Sequence, residues 1–210
     1  MSFPIALWQG PSPEGSDEVA FAALDAALRA AAAMGAVTLV APEAYFPGYN
    51  QPDIPARAQP RGGPWHQRLS ALARTHGCGI VVGYAERDGD AVYNAAVAMD
   101  AQGREIGHYR KVQLFGPREK SIYAPGTGVS VFDLAGIRAA MLICYDVEFA
   151  HLLRKLAEEG ADLILVPTAN PEPNTHVSRL VVPAHAINHG LTIVYANYCG
   201  SEGDVTYCGA

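Results

Sequence analysis

Three features of this sequence predict a layered α/β fold. Short apolar runs of strand length alternate with longer stretches of helical period along the chain. One of these runs, Val37 to Pro42, is apolar but for Thr38, as expected of a strand buried on both faces. The helical stretches carry stop signals of their own, Gly35, Gly160 and Gly190. With 210 residues, 50% of them hydrophobic, the chain can bury a sizeable core, and one domain spanning residues 1–210 is the expectation.

Taken in order, Ile5 to Gln9 reads as a strand. Asp17 to Met34 is rich in Ala and Leu at helical spacing, with Ser16 or Asp17 able to cap its start. Val37 to Pro42 is the buried strand, and Tyr45 to Gly63, rich in Pro, Gly and Asn, reads as a loop. Pro64 to His76 is a helix with Pro in its first turn. Gly79 to Ala85, Ala91 to Met99 and Glu105 to Val112 form a strand series turning at Asp88-Gly89-Asp90 and Ala101-Gln102-Gly103. A Pro/Gly-rich stretch from Leu114 to Gly128 leads to a strand pair, Val129 to Leu134 and Ile137 to Ile143. Phe149 to Glu159 reads as a helix, Asp162 to Val166 as a strand, Val177 to His189 as a helix and Leu191 to Ala196 as a strand; Val205 to Cys208 begins one more. The pattern does not give the strand order.

Composition excludes several functions. The net charge is −6 and no dense Lys/Arg block exists, which argues against nucleic-acid binding. No uninterrupted apolar run reaches the roughly 18 residues of a membrane helix, and Met1-Ser2-Phe3-Pro4 does not open a secretory leader, so a cytoplasmic location is the expectation. The four cysteines form no C-x-x-C pair, which argues against a zinc ribbon and for free thiols.

Three apolar strands end abruptly in a reactive side chain, the place where sites collect in layered α/β proteins. Leu39-Val40-Ala41-Pro42 ends in Glu43, which is either a solvent-facing loop residue or a carboxylate with a task. Tyr109-Arg110 precedes Lys111, which is either a lysine with its stem on the core and its head in water or a functional cation. Ala139 to Ile143 runs into Cys144 at a strand-to-helix elbow. Cys78 and Cys199 lie beside glycines with no acid or base adjoining, and Cys208 gives no reading. Together the three end residues make chemical sense. A thiolate attacks, a neighbouring cation lowers the cost of forming it, and a carboxylate moves the proton. An ammonium and a backbone N–H such as that of Tyr145 can hold an oxyanion. This chemistry needs no cofactor, and neither cofactor nor metal is expected.

At these residues the chain resembles the nitrilase, or carbon–nitrogen hydrolase, superfamily. The resemblance lies in Ala41-Pro42-Glu43 with Gly48-Tyr49, Tyr109-Arg110-Lys111 with Leu114-Phe115-Gly116, and Cys144-Tyr145-Asp146. It continues through Gly160 to Asn170 and Tyr195-Ala196-Asn197 with Gly200. It implies an αββα sandwich, a homodimer or higher homo-oligomer, and a catalytic triad of Glu43, Lys111 and Cys144. It places Tyr49, Glu119, Tyr145, Asp146 and Asn170 around the substrate. Nitrilases proper usually place Trp-Glu after the cysteine. Tyr145 here is more similar to short-chain amidases of the 5-aminopentanamidase kind, which implies a small linear amide. Relatives continue for several strands beyond this sequence, so the resemblance also implies that the last strands of the fold are absent.

Two segments depart from the family pattern: Ala150-His151 stands where Pro-Glu is common, and His185-Ala186-Ile187-Asn188-His189 where Arg-Ala-x-Glu-Asn is common. The i, i+4 spacing of His185 and His189, with His176 upstream, suggests a metal hydrolase as a rival, but Ala186 stands where a metalloprotease would carry Glu. A non-catalytic binding protein is a second rival; nitrile or N-carbamoyl chemistry remains open within the family. Asp146 and Glu148, just past the nucleophile, would favour an ammonium at the far end of the substrate, unless they are solvated or paired with Arg154 or Lys155.

Overall fold

The computed structural model describes residues 3–209. Two sheets stack face to face with helices on their outer sides, the αββα arrangement. The first sheet has strand order β1-β2-β3-β4-β5: β1 (Ile5–Leu7), β2 (Thr38–Val40), β3 (Gly79–Asp88), β4 (Ala91–Met99) and β5 (Glu105–Arg110). Its first three strands run parallel and the rest antiparallel. The second sheet has order β6-β7-β8-β9: β6 (Val131–Leu134), β7 (Ile137–Met141), β8 (Leu163–Pro167) and β9 (Thr192–Ala196). Here β6 is antiparallel to β7, and β7, β8 and β9 are parallel. A small antiparallel hairpin, β10 (Ser201–Glu202) with β11 (Val205–Thr206), follows.

The helices form for the reasons the sequence offers. Ser16 caps α1 (Asp17–Ala33) by accepting the Val19 N–H, and the helix lays Ala20, Leu24, Ala27, Leu28 and Ala31 against the first sheet. These positions repeat at three- and four-residue steps, which builds one apolar stripe. Pro64 opens α3 (Pro64–His76), and Gly77 closes it in the left-handed conformation. One core cluster joins Val40, Val81, Ala96 and Tyr109 of the first sheet to Ala139, Met141, Ile164 and Leu165 of the second and to the helices behind it. All five residues of β8 are buried, consistent with its continuous apolar run.

Three departures from the sequence reading share a cause. The two stretches read as loops each hold a short helix, α2 (Ile54–Arg57) and α4 (Gly116–Ile122), and both carry Pro in the first turn. Pro is tolerated there because that N–H has no intrahelical partner, so a residue read as a breaker begins a helix instead. The last long helix opens as a wider π turn, Val177–Val181, before α6 (Val182–His189), again with Pro in the first turn of the latter. Between β7 and α5 (Ala150–Glu158), residues Cys144–Glu148 form a 3-10 turn. Among the described residues no helix is long and apolar enough to cross a membrane.

Candidate active site

The site lies where the C-terminal ends of β2, β5 and β7 meet. Beyond β2 the chain crosses β3 so closely that a Cβ on Gly83 would stand 2.6 Å from the Glu43 Cα. This crossing turns Glu43 inward, and the next residue, Ala44, takes φ +43. Lys111 directly follows β5, its N–H bonded to the Asn94 carbonyl at 2.8 Å. Cys144 sits on the elbow with φ +45, a left-handed conformation that costs a non-glycine residue of order 1–3 kcal/mol. The elbow is held by Asp146. Its carboxylate accepts the Ile143 and Gln113 N–H groups at 3.1 and 2.7 Å and the Tyr109 hydroxyl at 2.9 Å. Tyr109 and Gln113 flank Lys111, so Asp146 ties the cysteine turn to the lysine segment.

Lys111 is fully buried, so its head is not in water. Its Nζ donates to Glu43 Oε1 at 2.6 Å and to Glu119 Oε1 at 2.8 Å. An ammonium has three protons, so one is left for another acceptor. Asn94 Nδ2 also donates to Glu43 Oε1 at 2.8 Å, while Glu43 Oε2 is buried with no hydrogen-bond partner among the described residues. Glu119 is fixed further by the Tyr49 hydroxyl at 2.8 Å and the Phe115 N–H at 2.9 Å.

The electrostatics follow from burial and these neighbours. Burial pushes the Glu43 carboxyl up to about 7, against the pull of Lys111 and with the push of Glu119. Burial disfavours the Lys111 ammonium, but Glu43 and Glu119 outweigh it and hold its pKa well above the ordinary value. Burial and then the Glu43 charge push the Cys144 thiol well above its usual range, while Lys111 and the Ala169 N–H pull it down. The expected lowering by the nearby cation is therefore present but outweighed. Cys144 rests as a neutral thiol beside a base rather than as a preformed thiolate. Burial raises Asp146 to about 6, opposed by Lys111 and its three donors.

Cys144 opens onto a pocket of about 90 Å³, well below the roughly 300–1,000 Å³ of drug-sized sites. Tyr49, Phe115, Tyr145, Glu148, Asn170 and His176 are among the residues that line it. Of the residues expected around the substrate, Tyr49, Tyr145 and Asn170 are there. Glu119 and Asp146 are not: Glu119 buttresses Lys111, and Asp146 lies behind the elbow with both oxygens engaged. Glu148 takes the place expected of Asp146. Arg154 and Lys155 do not neutralise it, because they pair along α5 with Glu158 and Glu159 at 3.7 and 3.9 Å. Burial pushes the Glu148 carboxyl up, opposed by His176 and His185, and His185 stacks on His189 with ring centroids 5.7 Å apart. The sequence reading missed Asn94, Ala169 and Asn197, whose side-chain Oδ1 accepts the Asn170 N–H at 2.8 Å. A lone Asn in the apolar run Ala91 to Met99 was a legible signal for the first.

The family model of the carbon–nitrogen hydrolases matches residues 4–210. A hydrolase encoded in the pqqF 5' region of Pseudomonas protegens is 42% identical over 175 residues, covering 81% of this chain and 61% of its own length. An (R)-stereoselective amidase of a Pseudomonas species is 32% identical, with 79% and 60% covered. The chain thus spans about three fifths of these two curated relatives. A double mutant of the amidase from Nesterenkonia sp. AN1, solved with acrylamide, superposes with a TM-score of 0.91 at 33% identity over 97% of this chain and 79% of that one. The match over almost the whole sequence, with the buried acid–lysine–acid cluster beside a strained cysteine, leads to one conclusion: the chain belongs to the carbon–nitrogen hydrolase family.

Proposed function

We propose that the protein is a cofactor-independent amidase that converts a small linear primary amide to carboxylate and ammonia through a Cys144 thioester. One observation carries this reading. Glu43 and Lys111 are wholly buried against each other beside Cys144, and one Glu43 oxygen has no hydrogen-bond partner among the described residues. Burying such a pair is costly, and it serves a reaction that needs a base and an oxyanion holder at once. Glu43 takes the thiol proton as sulfur attacks the amide carbon. The remaining Lys111 proton and the Tyr145 N–H, which lies in the first turn of the 3-10 segment, hold the oxyanion. Glu43 passes its proton to the leaving nitrogen and ammonia departs. Glu43 then deprotonates water, which attacks the thioester and frees the carboxylate and the thiol. Acrylamide, found with the Nesterenkonia amidase, is a primary amide of the size this pocket takes.

The far end of the substrate carries an ammonium in this reading, facing the half-buried Glu148 carboxylate. The same reading makes the protein a homodimer or higher homo-oligomer, formed over a face where Leu180 and Ile187 are 68% and 81% exposed. The test compares pentanamide, 5-aminopentanamide, glutaramic acid, valeronitrile and an N-carbamoyl amine. The amino amide is expected to have the highest kcat/KM, by roughly tenfold or more. Preference for the neutral or the acidic amide removes the ammonium assignment, faster nitrile conversion makes the protein a nitrilase, and no turnover of any member removes the enzymatic reading.

The pH dependence follows from Glu43. A base with its pKa raised to about 7 is ionised above that value and protonated below it. The kcat/KM is therefore expected to fall about tenfold per unit on the acid side of pH 7. A profile that stays flat down to about pH 5 would exclude Glu43 as the base.

A further inference from the structure

Glu202 is a buried carboxylate outside the machinery described above. It is 1% exposed, and among the described residues no cation lies within salt-bridge distance of it. Its oxygens take neutral donors instead, Gln51 Nε2 on Oε1 and the Tyr207 hydroxyl on Oε2, each at 2.6 Å. A carboxylate removed from water without a counter-charge is expensive, so its position calls for an explanation. That position is directly on the segment carrying Tyr49. A Cβ on Gly48, which has φ +125, would stand 2.5 Å from Glu202 Oε1. The Glu202 carbonyl accepts Asn50 Nδ2 at 2.9 Å, and the ring of Tyr207 meets the ring of Tyr49 edge-on with centroids 6.5 Å apart. From the other side, Arg118 donates to the carbonyls of Tyr49 and Gln51 at 2.8 and 3.0 Å. Tyr49 is therefore held between α4 and the β10–β11 hairpin, and its hydroxyl meets the glutamate that supports Lys111.

We propose that Glu202 is a positioning residue for amide hydrolysis: by clamping residues 48–51 it sets the Tyr49 hydroxyl on Glu119 and, through Glu119, the Lys111 ammonium. This rests on the amidase reading. Glu202 does not touch the substrate. It fixes the direction of the Lys111 proton that the oxyanion receives.

The test is a double-mutant cycle of Glu202→Gln and Tyr49→Phe, read as kcat and KM for pentanamide with the thermal midpoint measured alongside. Each single variant is expected to lower kcat about five- to twentyfold, with a smaller change in KM. In the double variant Glu202→Gln should add less than about twofold to the loss from Tyr49→Phe. Full multiplication of the two losses, or a loss in KM alone, overturns the proposal, because a hairpin latch unconnected to the lysine would act independently of Tyr49. Gln51→Leu removes the donor while keeping the carboxylate, and serves the same cycle if Glu202→Gln does not fold. The cycle is also read on the rate of Cys144 alkylation by iodoacetamide, which requires no turnover. Wild-type protein inactive on all amides thus counts against the amidase reading, whereas additive alkylation effects count against the clamp.

Discussion

Cys144→Ser is expected to leave the fold intact and to remove turnover by on the order of 10⁴–10⁶-fold. The substitution replaces sulfur by oxygen at a partly buried elbow, and serine can adopt the same φ of +45. The three bonds that Asp146 makes around the turn do not involve the Cys144 side chain, so the elbow should persist. Chemistry changes far more. A hydroxyl holds its proton several orders of magnitude more tightly than a thiol, so its transfer to Glu43, raised to about 7, is less favourable. A hydroxyl is also a poorer nucleophile in a pocket whose burial and neighbouring carboxylate both oppose an anion. The measurement is kcat on pentanamide for purified variant and wild type, together with the thermal midpoint. A variant that folds and keeps more than a few per cent of wild-type kcat removes the covalent route. Alkylation of Cys144 by iodoacetamide, slowed by a substrate amide, separates an enzyme from a mere amide binder.

Lys111→Met should be nearly as damaging and should also reduce stability. The methionine fills similar volume, but it leaves two buried carboxylates, Glu43 and Glu119, facing each other with no cation between them. Removing one partner of a buried ion pair costs about 3–5 kcal/mol, and one of the two acids would take up a proton to limit that loss. If Glu43 takes it, the base is lost together with the oxyanion holder. The expected outcome is a fall in kcat of at least about 10³-fold and a clearly lower thermal midpoint at neutral pH. Midpoint loss should be smaller near pH 5, where protonation of a carboxyl is less costly. A Lys111→Met protein with near wild-type kcat would show that the buried ammonium has no part in the reaction.

The three residues of the proposed triad stood out in the sequence because each ends an apolar strand. Strand ends are where a rigid element can present a reactive group, and the surrounding motifs identified the family. What the sequence concealed has physical reasons. Asp146 and Glu148 are adjacent acids on paper, but in a 3-10 turn with three residues per turn, two positions apart point to different sides. Only one of them could face the pocket. The helices α2 and α4 hid behind Pro and Gly, which mark loops on average and helix starts in these two places. Glu202 was the least visible. Ser201-Glu202-Gly203-Asp204 has the composition of an exposed turn, and only the fold of the hairpin onto residues 48–51 makes the glutamate a buried one. Asn94 could have been found, since a single amide in an otherwise apolar strand must be satisfied by something inside.

The contact between Gln51 and Glu202 joins positions 151 residues apart. On a ribosome adding 5–20 residues per second, roughly 8–30 s pass between the synthesis of these two side chains. Glu43, Lys111 and Cys144 are all translated before the second partner exists. The nascent chain thus carries all three residues of the proposed triad while the segment around Tyr49 is still without its partner in the hairpin. If the hairpin clamps residues 48–51 as proposed, its folding becomes the step that completes the site, and the thiol of Cys144 waits for it.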